Sequence, residues 1–261
     1  MFPLKRLRDI VAGFASKNVV VVGDLIADEY LYGKPSRISR EAPVLILRFT
    51  NREVRLGGAA NAAHNVQALG AIARPVGVLG HDSAGGEVRR LFAEKGISTD
   101  GVIGAEGRLT PVKTRIMAGG YESTRQQVVR LDREPEPAIA DPVEDALVAA
   151  VKTAGRSADA FLVSDYGYGT VTPRVFDTVL EAARARGAVV TVDSRYDLPR
   201  FKGATAAAPN EPEVEALAGV ELGDERALEK AGRPCSSGSS RATSSSRGAA
   251  GAWPSSSARD R

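Results

Sequence analysis

Two hydrophobic rhythms alternate along this chain. Short β-branched runs that end in glycine or aspartate are followed by stretches in which apolar residues recur every third or fourth position. Val19-Val20-Val21-Val22-Gly23-Asp24 is the first such run and reads as a buried strand. Gly57-Gly58 opens a helix with Ala60, Ala63, Val66 and Leu69 on one face, closed by Gly70. Residues 72–79 predict a second strand, and Asp82 or Ser83 caps a helix that carries Val88, Leu91 and Phe92 to Gly96. After residue 140 the rhythm returns. Asp141-Pro142 predicts a cap and first-turn proline ahead of Val143, Leu147, Val151 and Ala154. Ala160-Phe161-Leu162-Val163 is a strand, Thr172-Pro173 starts a helix ending near Gly187, and residues 188–193 form another strand. Strands alternating with helices predict a three-layer α/β fold around a parallel sheet.

Two segments break this rhythm. Residues 29–50 hold two extended stretches, and residues 111–131 form two Val-, Thr-, Arg- and Gln-rich stretches around Gly119-Gly120, the pattern of a hairpin. Together they predict a small β lid on the α/β body. The chain then changes character. Residues 1–233 carry the patterning of one domain, whereas residues 234–261 contain no Val, Leu, Ile or Phe and are rich in serine. Such a segment cannot bury a core and is expected to be disordered.

Composition narrows the function classes. Of 261 residues, 43% are hydrophobic and 26% charged, an ordinary globular balance. A formal net charge of +3 without a basic run gives no case for a nucleic-acid partner. One cysteine, Cys235, excludes an internal disulfide and a thiolate zinc site, and His64 and His81 are too isolated to suggest a metal. No stretch has the length and apolarity of a membrane span or a signal peptide, so a cytoplasmic location is expected.

Three short constellations could carry chemistry. Asp24 lies at the carboxyl end of the first strand, where doubly wound sheets bind ligands; it is equally readable as a turn or cap aspartate. Gly57-Gly58 lets backbone approach a ligand closely and Asn61 offers a donor and an acceptor, although packing glycines before a helix are common. Asn210 follows a short strand at 204–208 and precedes a helix with Glu213 three residues on. That pair is either a capping box or a place for magnesium-bound phosphate. No Gly-x-Gly-x-x-Gly dinucleotide loop follows the first strand, and there is no phosphate loop of the Gly-x-x-x-x-Gly-Lys type.

In this order and spacing the pieces resemble the ribokinase family of carbohydrate kinases. Val20-Val21-Val22-Gly23-Asp24, Ser36-Arg37-Ile38-Ser39-Arg40-Glu41-Ala42-Pro43-Val44, Gly57-Gly58-Ala59-Ala60-Asn61, Arg130-Leu131-Asp132, Val163-Ser164-Asp165-Tyr166 and Pro209-Asn210 are most similar to the kinase module of bacterial ADP-heptose synthesis. The resemblance covers about residues 8–232. It implies ATP and Mg2+ as cofactors and phosphorylation of a sugar hydroxyl, the C1 position of a heptose 7-phosphate; a fructose- or ribose-like substrate is the alternative. It also implies that Asp24, Gly57, Gly58, Asn61 and Asp165 hold the sugar, and that Asn210 and Glu213 serve the nucleotide and its magnesium. Arg37, Lys113, Arg115 and Arg125 are candidates for a clamp on the sugar's phosphate. The expected partner is a small sugar phosphate, with homodimerisation through the lid.

One family feature is missing. The catalytic aspartate of these kinases sits in a Gly-Ala-Gly-Asp-like motif farther along, and no such motif occurs in the 261 residues. A one-base shift in suitable codons for Ser244–Ser257 reads as Leu-Leu-Val-Thr-Arg and then Gly-Met-Ala-Leu-Phe-Glu, text that resembles the next strand and turn of the family. A frameshift is therefore the expected origin of the serine-rich tail, and the chain as written is expected to lack turnover or to be a non-catalytic remnant.

Overall fold

The elements, in chain order, begin with α1 (Leu4–Ala12), β1 (Asn18–Gly23), β2 (Leu25–Ile38), β3 (Leu45–Gly57), α2 (Gly58–Ala68), β4 (Ile72–Gly80), α3 (Ser83–Glu94) and β5 (Gly101–Ala105). They continue with β6 (Val112–Ala118), β7 (Gln126–Arg133), α4 (Asp141–Gly155), β8 (Ala160–Asp165), α5 (Pro173–Arg186), β9 (Val189–Ser194), β10 (Ala206–Ala207) and α6 (Glu211–Ala218). This computed structural model describes residues 4–119, 125–136, 138–195 and 197–218. The serine-rich tail and the turn of the 111–131 hairpin lie outside the described residues.

The valine run of β1 is the centre of a six-stranded sheet in the order β10-β9-β8-β1-β4-β5, and every neighbouring pair is parallel. Because side chains alternate along a strand, Val20 and Val22 enter one core and Val21 the other. The first core is closed by Leu147 and Val151 of α4 and Val175 and Val179 of α5, the second by Ala59, Ala60 and Ala63 of α2 and Val88 and Phe92 of α3. A central strand buried on both faces is why the run needs no polar alternation. Helix boundaries follow local chemistry. Asp82 caps α3 by accepting from Gly85 N at 2.8 Å, and Thr172 caps α5 by accepting from Val175 N at 3.1 Å. Asp141, expected as a cap, is instead the first residue of α4, with Ala140 at the cap position and Pro142 next, where a missing N–H costs nothing.

The lid is a separate four-stranded sheet in the order β3-β2-β6-β7. Only Asp24 separates β1 from β2, so the chain leaves the parallel sheet there and enters the lid directly. β2 and β3 pair antiparallel, as do β6 and β7, while β2 and β6 run parallel, with Asp28 opposite Lys113 and Tyr30 opposite Arg115. The lid root is continuous with the body, since Ala27, Leu56 and Val112 join the core of α2 and α3.

Candidate functional site

The carboxyl ends of β1 and β8 are adjacent, with Gly23 opposite Ser164 in the register. They lie where the strand order changes direction, because the chain goes from β1 to β4 and β5 on one side and to β8 and β9 on the other. An open cleft of about 320 Å³ lies there between the strand ends and the lid. Its lid wall carries Ile26 and Asp28 of β2, Lys113 and Arg115 of β6 and Arg130 of β7. Its body wall carries Gly58, Asp165, Tyr166, Asp193, Arg195, Asn210 and Glu213.

Asp28 is the carboxylate on the lid wall. It accepts from Arg115 Nη1 at 2.8 Å, and Gly57 lies against it: a Cβ there would be 2.7 Å from Asp28 Cγ. Gly57 is thus required for close approach to a side chain. Gly58 is required for its backbone, with φ at +53°, and a Cβ would meet the Asp24 carbonyl oxygen at 2.6 Å.

Lys113 is only 7% exposed. Its ammonium lies 4.9 Å from the ring centre of Tyr166 and 6.0 Å from that of Tyr168, an arrangement attractive to a desolvated cation. Burial, and then the nearby Arg195 guanidinium, push its pKa down from the ordinary lysine value of 10.5. Asp165, also buried, accepts from Ser194 Oγ at 2.9 Å, from Arg200 Nη2 at 3.0 Å and from Gly167 N at 3.2 Å. Three donors fix its orientation at the cleft edge.

Asn210 and Glu213 realise the capping-box reading and also line the cleft. Asn210 N and Nδ2 donate to Glu213 Oε2 and Oε1 at 2.9 and 2.8 Å, and Glu213 N donates to Asn210 Oδ1 at 2.9 Å. This is a reciprocal capping box at the start of α6, and it also holds both side chains on the cleft wall.

Asp24 departs from its expected place. It is 1% exposed and absent from the cleft lining. Its carboxylate accepts three backbone N–H groups, from Tyr166 at 2.8 Å and from Tyr168 and Thr170 at 3.2 Å. Gly167 and Gly169, both with positive φ, turn alternate N–H groups of this loop toward it. Burial pushes the Asp24 carboxyl up from the ordinary range, and the neighbouring Asp165 charge adds to that, while the hydrogen bonds from Thr170, Tyr166 and Tyr168 oppose it. Asp24 organises the loop after β8, and Asp28, four residues on, is the one that faces the cleft. Asn61 is exposed on α2 and Arg37 is exposed near the far end of β2; neither lines the cleft. Arg125 has its guanidinium 4.9 Å from the Tyr32 ring on the lid and also lies outside the lining. Arg130, Asp193 and Arg195 line the cleft; Arg130 lies in the Arg130-Leu131-Asp132 segment of the resemblance, whereas Asp193 and Arg195 are marked only by their place at the end of β9.

Comparison with known proteins places this arrangement in context. The sequence pattern of the pfkB family carbohydrate kinases matches residues 16–260, a span that runs into the serine-rich segment. The bifunctional protein HldE of Geobacter metallireducens is 38% identical over 229 residues, 87% of this chain and 46% of that protein. The HldE protein of Wolinella succinogenes is 37% identical over 223 residues, 85% of this chain and 46% of that one. The chain thus spans about half the length of these curated relatives. Among solved structures, the tetrameric inhibited form of Escherichia coli phosphofructokinase-2 matches with a TM-score of 0.65 at 19% identity, covering 84% of this chain and 69% of that one. Arabidopsis thaliana ribokinase complexed with ribose and ATP matches with a TM-score of 0.60 at 18% identity, covering 84% and 68%. These two likenesses are of fold.

Proposed function

The chain belongs to the pfkB family of carbohydrate kinases, and on that premise we propose that its cleft binds a sugar phosphate under the lid and ATP along the body wall, for phosphoryl transfer to a sugar hydroxyl. The observation that carries this reading is the division of the cleft. The lid wall offers a carboxylate, Asp28, beside three cations, Lys113, Arg115 and Arg130. A carboxylate suits hydroxyl groups and clustered cations suit a phosphate already on the sugar. Lys113 and Arg115 remain from the expected clamp, Arg130 and Arg195 replace Arg37 and Arg125, and Asp28 takes the sugar-binding part expected of Asp24. Gly58 and Asp165 line the body wall, and Gly57 lies behind Asp28.

The body wall fits magnesium-bound nucleotide. Among the described residues no cluster of three or more His, Cys, Asp or Glu side chains converges on one metal position. Magnesium does not need one, since it keeps several waters and binds through one or two carboxylates and the substrate's phosphates. Glu213 and Asp193 line that wall with Asn210, and we assign these two carboxylates to the ion. The ion would neutralise the charge of the transferring phosphoryl group.

The resemblance to the ADP-heptose kinase module favours a heptose 7-phosphate, phosphorylated at C1, over a free hexose or pentose. With no Gly-Ala-Gly-Asp-like sequence in the 261 residues, the chain as written has no assigned acceptor for the hydroxyl proton, and we infer that it binds without turning over. The lid supports self-association as well: Phe49 and Leu131 are each 65% exposed on it, with Ile38, Leu45 and Val129 also exposed. Titration of the chain with heptose 7-phosphate, fructose 6-phosphate, fructose and ribose tests the substrate reading. Tighter binding of the heptose phosphate is expected; preference for an unphosphorylated sugar would refute the clamp.

A further inference from the structure

The lid hairpin of β6 and β7 joins the body through residues 106–111 and the segment after β7, and one side chain ties those connections together. Arg108 donates from Nη1 to the carbonyl oxygens of Glu136 at 2.7 Å and Ala138 at 3.2 Å, and from Nη2 to that of Tyr168. The first two carbonyls lie on the exit from β7, the third in the loop after β8. A cavity of about 370 Å³, lined by Ala105, Arg108, Glu134, Ile139 and Val143 among others, runs beside this junction. Tyr168 Oη adds a second link between the same segments by donating to Glu134 Oε1 at 2.9 Å.

Residue 168 is held at both polar ends of its backbone, its N–H by Asp24 at 3.2 Å and its carbonyl by Arg108. The loop so fixed carries Tyr166, whose ring faces Lys113 of the lid across 4.9 Å. We propose that Arg108 is a positioning residue for the cleft: by holding the carbonyls of Glu136, Ala138 and Tyr168 together it couples the β6–β7 hairpin of the lid to the tyrosine loop, and so sets the spacing between Lys113 and Tyr166. A planar guanidinium with five donors spans three carbonyls; a lysine ammonium does so poorly. The consequence for ligand affinity rests on the reading that the cleft takes a sugar phosphate, whereas the coupling itself does not.

Hydrogen exchange read by peptide mass spectrometry on the 261-residue chain, with Arg108→Met and Arg108→Lys beside it, tests the coupling. In Arg108→Met, exchange in peptides covering 112–118, 126–133 and 166–170 is expected to speed up about tenfold or more, with β4 unchanged, because local opening is set by local ties; Arg108→Lys should fall between. Parent-like exchange in either the lid strands or the loop would overturn the proposal. Should Arg108→Met speed exchange in β4 too, it has lost its fold, and Arg108→Lys decides: parent-like rates there would overturn the coupling. Titration with heptose 7-phosphate and with ATP separates the two claims. If the parent binds neither sugar phosphate offered, heptose 7-phosphate or fructose 6-phosphate, the cleft reading fails while the exchange result stands. If it binds, Arg108→Met should lose about tenfold or more in sugar-phosphate affinity, or 1.4 kcal/mol, and keep its ATP affinity; equal losses for both ligands would reduce Arg108 to a structural residue.

Discussion

A carboxylate that accepts three backbone N–H groups in a site closed to water has little left to offer a ligand. That is the position of Asp24, and removing its side chain strands those donors. At about 1–3 kcal/mol per buried unsatisfied group, Asp24→Ala is expected to cost at least about 3 kcal/mol in urea unfolding; a loss under 1 kcal/mol would show the loop holding itself. Asp28→Ala should leave stability nearly unchanged and weaken sugar-phosphate binding by about 1.5–3 kcal/mol, the usual worth of a charged hydrogen-bond partner. Unchanged affinity in titration would remove Asp28 from the site. Lys113 supplies a pH test. Its charged form is disfavoured by burial, so its pKa in the fold lies below the ordinary 10.5. The cost of holding the charge is present at neutral pH and is relieved as pH rises through the lowered value. A phosphate ligand needs that charge, so sugar-phosphate affinity should fall with rising pH before the ordinary lysine range, and Lys113→Met should bind weakly with no such fall. A parent whose affinity is flat to pH 10.5 would contradict this. The sequence made Asp24 visible because it ends a valine run next to a glycine. Asp28 was not visible, since four residues into an extended segment only the lid register tells which face a carboxylate takes.

At the scale of elements, the βα units were legible because their periodicities differ and their punctuation is local: Gly70, Gly96 and Gly187 all stop helices at positive φ. The lid was legible as two irregular β segments and no further. Its β2–β6 pairing joins strands more than eighty positions apart in parallel, and no local pattern encodes that register. The Asn210–Glu213 pair forms a capping box, and substitution can part that role from the proposed one toward magnesium. Glutamine preserves a capping box, so Glu213→Gln should keep the melting temperature of the parent, yet raise the magnesium concentration needed for ATP binding. An identical magnesium dependence would leave only the cap. The glycines at the α2 start divide similarly. Gly58→Ala forces a left-handed backbone on a residue with a Cβ, worth roughly 1–3 kcal/mol. Gly57→Ala should instead push Asp28 off Arg115 and lower sugar-phosphate affinity with little change in stability.

For the whole molecule, the fold and the carbohydrate-kinase family are shown; activity is the proposal to test. The proposed cleft has two walls: a lid with Asp28, Lys113, Arg115 and Arg130, and a body wall with Asp193, Asn210 and Glu213. The expected catalytic aspartate has no counterpart among the 261 residues, and general-base help alone is typically worth about 10²–10⁴ in rate. Among the described residues no helix is long and apolar enough to cross a membrane. The exposed apolar side chains of the lid should make the chain self-associate, and replacing Phe49 and Leu131 by serine should shift its sedimentation toward monomer. The most direct test of the account is ATP-dependent phosphorylation of heptose 7-phosphate, measured for the 261-residue chain and for a protein in which the reading frame after residue 233 is shifted by one base. Turnover is expected only in the shifted protein, with heptose 7-phosphate preferred over fructose and ribose. Robust turnover by the 261-residue chain, or a shifted protein that prefers an unphosphorylated sugar, would contradict it.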